Sequence, residues 1–329
     1  MPRPSILDRI RTLDPERDHQ GIVHLCACYE FPFDMVRSLE FALFRTYCAP
    51  RISALLDRTG EFRLRAQKRY DDTDLIVGAL MAHGYDSPLG RAALRRMNQI
   101  HGRFTIANED YLYVLSTFIF EPARWIDRFG WRPLSDHERL GLFHFWRQVG
   151  RRMSIRQIPE DYDAFERFNV SYERENFRYA ESNARVGAAT RDMFLSWFPG
   201  TLRPLLRPAI YALMDDPILD AFGFPRPSRA LRRLVEEALK LRARVVRLLP
   251  ARRRPVIRTE LKHRSYPQGY HIKELGPPAT DPTADAANGA GGVVDNRNGR
   301  QAAGTCPWAG VPLPSESASE SPRPPDPPV

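Results

Sequence analysis

The chain has 329 residues, 43% of them hydrophobic and 27% charged, with a net charge of +9. That composition supports one large core or two ordinary ones and excludes a wholly disordered chain. The positive surplus suits an anionic surface, but no groove-reading or base-stacking module accompanies it, so nucleic acid is not an expected partner.

The opening segment MPRPSILDRIRTLDPERDHQ lacks the apolar run of a secretory signal. No uncharged stretch approaches the roughly 20 residues that cross a bilayer. The expectation is a cytoplasmic chain, at most peripheral to a membrane, with residues 1–14 flexible. Cys26, Cys28, Cys48 and Cys306 suit a reducing compartment. Cys26 and Cys28 stand beside His24, but two thiols without a second pair read as small buried hydrophobes rather than as a metal site.

Helices follow in chain order, with no period-2 alternation at hairpin spacing. One runs from about Asp34 to Thr46 and one from Arg63 to Ala82. After the loop HGYDSPLG, the next carries RRMNQIHGRF (95–104). Asn108 reads as the N-cap of an almost uniformly apolar helix that Pro122 is expected to kink. Ser135 and Glu138 form a capping box for a helix ending near Gly150. Further helices start near Pro159, Asn183 and Thr201. The last begins near Pro227 and runs to about Leu249. Its residues Leu231, Leu234, Ala238, Leu241, Val245 and Leu248 share one face, read as core-facing, while its arginines form a solvated face. Taken with the basic run to Arg258, residues 240–258 also suit peripheral contact with anionic membrane. From Pro278 to Val329 the chain is rich in Pro, Gly, Ala and Ser and is expected to be disordered. The expected organisation is therefore an all-α single domain over 15–277 with a disordered tail over 278–329.

Two helical stripes carry polar residues where apolar ones belong. Arg69, Thr73, Ile76, Val77 and Leu80 share a face. Leu94, Met97, His101 and Phe104 share another. A guanidinium on a core-facing stripe needs an anion, and an imidazole there needs a hydrogen bond or a metal. Consecutive helices carry the two stripes, so both can face one interior space. The plain alternative for each is structural: Arg69 snorkelling to water, Thr73 bonding its own helix, His101 satisfied by a carbonyl.

The sequence resembles the mpaB-type oxygenases, which share a catalytic domain with the latex-clearing rubber oxygenases. The likeness is carried by APRISALLDRTGEF (49–62), Arg69 and Thr73, His101 followed by FTIANEDYLYVL, Pro122-Ala-Arg-Trp125, Gly130-Trp-Arg132, GRRMSIRQIPEDYDAF (150–165), and Tyr266-Pro-Gln-Gly-Tyr270 leading to Leu275-Gly-Pro277. The resemblance implies an all-helical fold with a buried pocket for haem b, His101 as the iron ligand, and Arg69 and Thr73 beside the haem. It implies an oxidoreductase that uses dioxygen as co-substrate on a small apolar, isoprenoid-like substrate, with oxidative cleavage of a carbon–carbon double bond as the reaction class. Imidazole suits haem iron, and an arginine fork suits a haem propionate. Tyr111, Tyr113, Phe118 and Trp125 are candidates to line the cavity, with plain core as the alternative. The latex-clearing enzymes carry a lysine just before the threonine; here that place is Asp72. It is a candidate distal acid or base, with a solvated surface role as the alternative, and the change favours a smaller substrate than rubber. Fungal relatives carry a membrane anchor that this N-terminus does not display.

Two rival readings stand beside this one. A carboxylate di-iron oxidase needs paired Glu-x-x-His motifs on facing helices; the chain offers Glu16 with His19 and Glu260 with His263, both in charged segments. A non-enzymatic helical binding or scaffold protein requires only that His101 be a satisfied core residue. No P-loop, dinucleotide fingerprint, nucleophile elbow or zinc-protease motif is present.

Overall fold

A computed structural model describes residues 5–277 and the backbone of residues 293–294, and the described residues are almost entirely helical. In order the helices are α1 (Ile6–Arg11), α2 (His19–Leu25), α3 (Pro32–Tyr47), α4 (Pro50–Thr59), α5 (Glu61–His83), α6 (Pro88–His101) and α7 (Asn108–Phe129). They continue with α8 (Asp136–Arg152), α9 (Tyr162–Asn176), α10 (Glu181–Ser196), α11 (Arg203–Leu213), α12 (Asp216–Phe222) and α13 (Arg229–Leu248). The one ladder is a two-residue antiparallel pairing of Tyr270 and His271 with Val294 and Val293. The all-α expectation holds. The expectation of disorder over 278–329 otherwise lies outside the described residues.

Local chemistry explains most of the helix ends. Ser135 accepts from the Glu138 backbone while Glu138 reaches back to the Ser135 N–H, so both halves of the expected capping box form. Ser87, Asp161, Asp215 and Ser228 each accept a bond from the first turn of the helix that follows. The last corrects the start of α13, which is set by Ser228 rather than Pro227. Asn108 does not cap α7. Its side chain instead clasps residue 156, accepting from the Arg156 N–H and donating to the Arg156 carbonyl. Helix α7 runs unbroken through Pro122.

The segment expected to be flexible at the N-terminus contains α1. A second capping box, Ser5 with Asp8, starts it, and Ile10 is fully buried against Ile22 and Leu25. Burying one such side chain contributes about 1.5–3 kcal/mol.

Helix α7 is the centre of the fold, packed on α3, α8 and α9. Its buried Leu112, Leu115, Ile119, Phe120 and Ile126 join α5, α6 and α8 in the main apolar cluster. A second cluster lies between α3, α5, α10 and α12, built on Phe44, Tyr47, Phe62, Phe194 and Phe222. Helix α5 therefore contributes to both cores.

The last helix departs from expectation. Its expected core stripe points outward: Leu234, Leu241, Val245 and Leu248 are 67%, 58%, 51% and 86% exposed. The face against the protein is Leu231, Val235, Leu239, Ala243 and Val246, of which Ala243 alone is fully buried. Ion pairs hold that face in place: Arg242 with Asp34 at 2.7 Å, Arg232 with Asp216 at 2.5 Å, and Glu236 with Arg128.

Candidate functional site

Arg69 and Thr73 lie one turn apart on α5, on the face turned to the second core. They line a small cavity with Leu43 and Tyr47 of α3, Phe62, Ala66 and Tyr70 of α5, and Thr190 and Met193 of α10. Arg69 donates to the Thr73 hydroxyl through Nη1, and that hydroxyl donates in turn to the Arg69 carbonyl at 3.0 Å. The guanidinium stands 5.6 Å from the centre of the Phe62 ring. Among the described residues no carboxylate pairs with it. A cation on an interior wall, fixed by a hydroxyl and an aromatic face but without a counter-charge, is an open receptor for an anion.

His101 is the last residue of α6, where the helix stops and leaves Phe104 outside it. The four-residue stripe read from the sequence is thus a three-residue one, Leu94, Met97 and His101. The imidazole meets Tyr111 edge to face, ring centres 5.7 Å apart. Its Nδ1 is buried and has no hydrogen-bond partner, and it is the one histidine nitrogen among the described residues in that condition. Leaving such a group unsatisfied costs about 1–3 kcal/mol. Burial, reinforced by the positive charge of Arg69, pushes the His101 pKa down to about 4. The ring is therefore neutral at ordinary pH, which is the form that ligates a metal. Arg69 and His101 stand on the packed helices α5 and α6, but His101 is not among the residues that line the Arg69 cavity.

Asp72 does not share this site. Neither the distal acid–base candidacy nor the solvated alternative matches its surroundings: it is buried, accepts from Lys68 at 2.9 and 3.1 Å and from the Tyr266 hydroxyl at 2.5 Å, and is absent from the cavity lining. It belongs to a different device, which the sequence reading missed. Residues 257–277 form a strap across α5 and α6. Asp74 holds Arg258 and, at 2.9 Å, His263; Asp71 accepts from the Ser265 N–H at 2.8 Å. Lys68 donates to the Gly276 carbonyl at 2.9 Å, and Arg96 to the Leu275 carbonyl at 2.7 Å. Two glycines make the crossing close. A Cβ on Gly78 would stand 3.0 Å from the Arg258 Cβ, and one on Gly276, at φ +93°, would meet Ile100 at 2.4 Å.

Of the four aromatic candidates, Tyr111 alone meets His101. Tyr113 stacks on Tyr172 at 4.1 Å, Phe118 on Trp146 at 4.5 Å and Trp125 on Phe41 at 5.2 Å, all as core. Both ring nitrogens of His19 are engaged, by the Glu16 carbonyl and the Tyr85 hydroxyl, and both of His263, by Leu261 and Asp74. Neither histidine of the di-iron reading presents a free nitrogen. Cys26 and Cys28 are buried, and burial pushes the Cys26 thiol well above its ordinary pKa.

Residues 41–249 match the family described as ER-bound oxygenase mpaB/B'/rubber oxygenase, catalytic domain. The chain belongs to that family. Over 132 residues, 38% of this chain and 44% of the relative, it is 38% identical to the ER-bound oxygenase mpaB of Penicillium roqueforti. Over 238 residues, 67% of this chain and 56% of the relative, it is 29% identical to the ER-bound oxygenase mpaB' of Penicillium brevicompactum. The chain thus spans about half the length of these relatives. Among solved structures, latex clearing protein LCP in its closed state is similar in fold, with a TM-score of 0.50 at 14% identity over 76% of this chain and 74% of that one. The mpaB/rubber oxygenase region takes in the last two turns of α3 and all of α4 to α13, and so contains Arg69, Thr73 and His101; the strap lies beyond it.

For the haem that the family resemblance implied, the donor set fits: a neutral imidazole with a buried unpartnered nitrogen, and an inward guanidinium without an acid. The space beside Arg69 is narrow. Its volume is about 10 Å³, far below the roughly 300–1,000 Å³ of ordinary ligand pockets. Seating a macrocycle there requires the lining side chains to move apart.

Proposed function

We propose that this chain is a haem b-dependent oxygenase that uses dioxygen to oxidise, and in the fullest case cleave, an apolar isoprenoid-like molecule. The observation that carries the reading is the His101 Nδ1, a buried imidazole nitrogen without a hydrogen-bond partner, on a helix packed against the one that carries Arg69, whose guanidinium has no carboxylate partner among the described residues. His101 would hold the iron and Arg69 a propionate. Thr73 would keep the Arg69 fork pointed inward. When bound, haem supplies the redox chemistry that dioxygen requires. Leu43, Phe62, Ala66 and Met193 keep water out and offer an apolar wall to the substrate. Asp72 has no part in this reading.

The test is haem content of the protein purified from haem-replete cells, beside His101→Ala. The expected result is one haem per chain with an intense Soret band, and at least a tenfold lower content in the variant at unchanged helicity. A colourless parent protein, or a variant that keeps its haem, overturns the assignment. The narrowness of the cavity favours a second reading, a helical binding or scaffold protein without a cofactor, and the colourless outcome is the one it expects.

A further inference from the structure

The outward stripe of α13 calls for its own explanation. A water-facing helix normally turns its largest apolar side chains inward. Here the inward face is made of Val, Leu and Ala together with the ion-paired Arg232, Glu236 and Arg242, while Leu234, Leu241, Val245 and Leu248 are left outside. At 100° per residue these four, with the exposed Ala238, fall within a narrow arc. Leu249 continues the patch at 61% exposure. Helix α11 packs beside α13, and Leu202 and Leu205 at its start are 45% and 69% exposed. Exposed leucines aligned on one face of α13 mark a contact surface.

The charges around the stripe say what the contact is. Arg244 and Arg247 flank it, and Arg252, Arg253 and Arg254 follow it directly; all five are exposed. Arg244 has only a 3.7 Å approach to Glu237, and the other four have no acid partner among the described residues. An apolar stripe edged by unpaired arginines matches the interface of an anionic bilayer, where leucines enter the acyl boundary and guanidiniums meet phosphate. No described helix is long and apolar enough to cross a membrane, so the contact is with the surface.

We propose that α13, with the arginines that follow it, docks this protein on anionic lipid membrane. The geometry of the His101 interior plays no part in the inference.

The test is co-sedimentation of the full chain with vesicles of phosphatidylcholine alone and of phosphatidylcholine with phosphatidylglycerol, at low and high salt. Expected is binding to the anionic vesicles, at least tenfold weaker to the neutral ones, and weakened by salt. Leu241→Ser with Leu248→Ser should lower it at least tenfold without moving Tm, because both side chains are exposed. Arg252→Glu with Arg253→Glu and Arg254→Glu should remove the preference for anionic vesicles. Absence of binding to anionic vesicles overturns the proposal, as does binding that survives the leucine changes. So does light scattering that finds a dimer which the leucine changes convert to monomer, for then a second copy covers the stripe.

Discussion

Two arginines, Arg45 and Arg69, reach into the second half of the core, and their surroundings are opposite. Arg45 is caged. It donates to Glu173 at 2.8 Å and to Asp215 at 2.6 Å and lies 3.4 Å from Glu121, so one guanidinium ties α3 to α7, α9 and the start of α12. Tyr113 completes the cage by donating to Glu173 at 3.0 Å. Arg69 has a hydroxyl and an aromatic ring but no acid among the described residues. The first arrangement is complete and its charge is spent on the fold. The second is a half-buried charge without an acid among the described residues, which leaves its donors open to an anionic ligand.

That contrast can be broken by mutation, and the largest effect belongs to the cage. Arg45→Met leaves Glu173 without a cation and Glu121 with Arg124 alone, so we expect a loss of about 3–5 kcal/mol in denaturant unfolding. Arg45→Lys should recover little, since a single ammonium cannot bridge three carboxylates in fixed directions. The strap comes next. Asp74→Ala strips Arg258 and His263 of their shared partner and should cost about 3 kcal/mol. Tyr266→Phe removes one donor from buried Asp72, which keeps Lys68, and should cost about 1 kcal/mol. If either strap change also lowers haem retention while the fold stays intact, the strap positions α5 and α6 for the site rather than merely covering them.

A smaller effect separates the strap acid Asp74 from Glu40, the buried acid of the neighbouring α3. Burial raises the Glu40 pKa to about 7, with Arg37 and the Tyr70 hydroxyl pulling against it, Asp74 adding to it and Arg258 opposing it. A raised carboxyl pKa means that the folded state holds the proton more tightly than the unfolded chain. Its contribution is complete below the ordinary value near 4.5 and is lost as pH rises through about 7. Asp74 runs the other way: burial raises it, but His263 and Arg258 outweigh burial and lower it, so its contribution is lost only in acid. Glu40→Gln should therefore gain Tm relative to the parent as pH climbs from 4.5 to 7, and Asp74→Asn should show no such rise. Tm measured across that range for both variants decides it, and a flat difference for Glu40→Gln removes the assigned shift.

What the sequence made legible follows from the range of the interactions. Capping at Ser135 is settled within four residues, and the inward faces of Arg69, Thr73 and His101 follow from helical period alone. Asp72 was misread because its partner Tyr266 lies 194 positions away; nothing local distinguishes a buried acid from a solvated one. The α13 face was misread for a related reason. The helix carries two apolar stripes, and the larger one was taken as the inner. The choice was made by Asp34, Arg128 and Asp216, which grip Arg242, Glu236 and Arg232 from other helices. Asn108 shows the same limit: a residue suited to capping was recruited by a loop 48 positions away.

The smallest stability effect tests the contrast most sharply. Arg69→Met keeps the length and apolar stem of the side chain and removes a charge that no acid balances. The bond to Thr73 and the cation–ring contact with Phe62 are lost, and the Thr73 hydroxyl retains the residue 69 carbonyl as its acceptor. Stability should therefore change by less than about 1 kcal/mol, against several for Arg45→Met. On the proposed haem reading, haem affinity should nonetheless fall about tenfold, measured by titration, because a propionate would lose its fork. Removing the Arg69 charge also relieves one of the two influences that hold the His101 pKa down, so that pKa should rise from about 4, followed by the imidazole proton resonances. A large loss of stability with unchanged haem affinity would make Arg69 a second Arg45, a structural charge whose partner has yet to be found, and His101 would be left to carry the site alone.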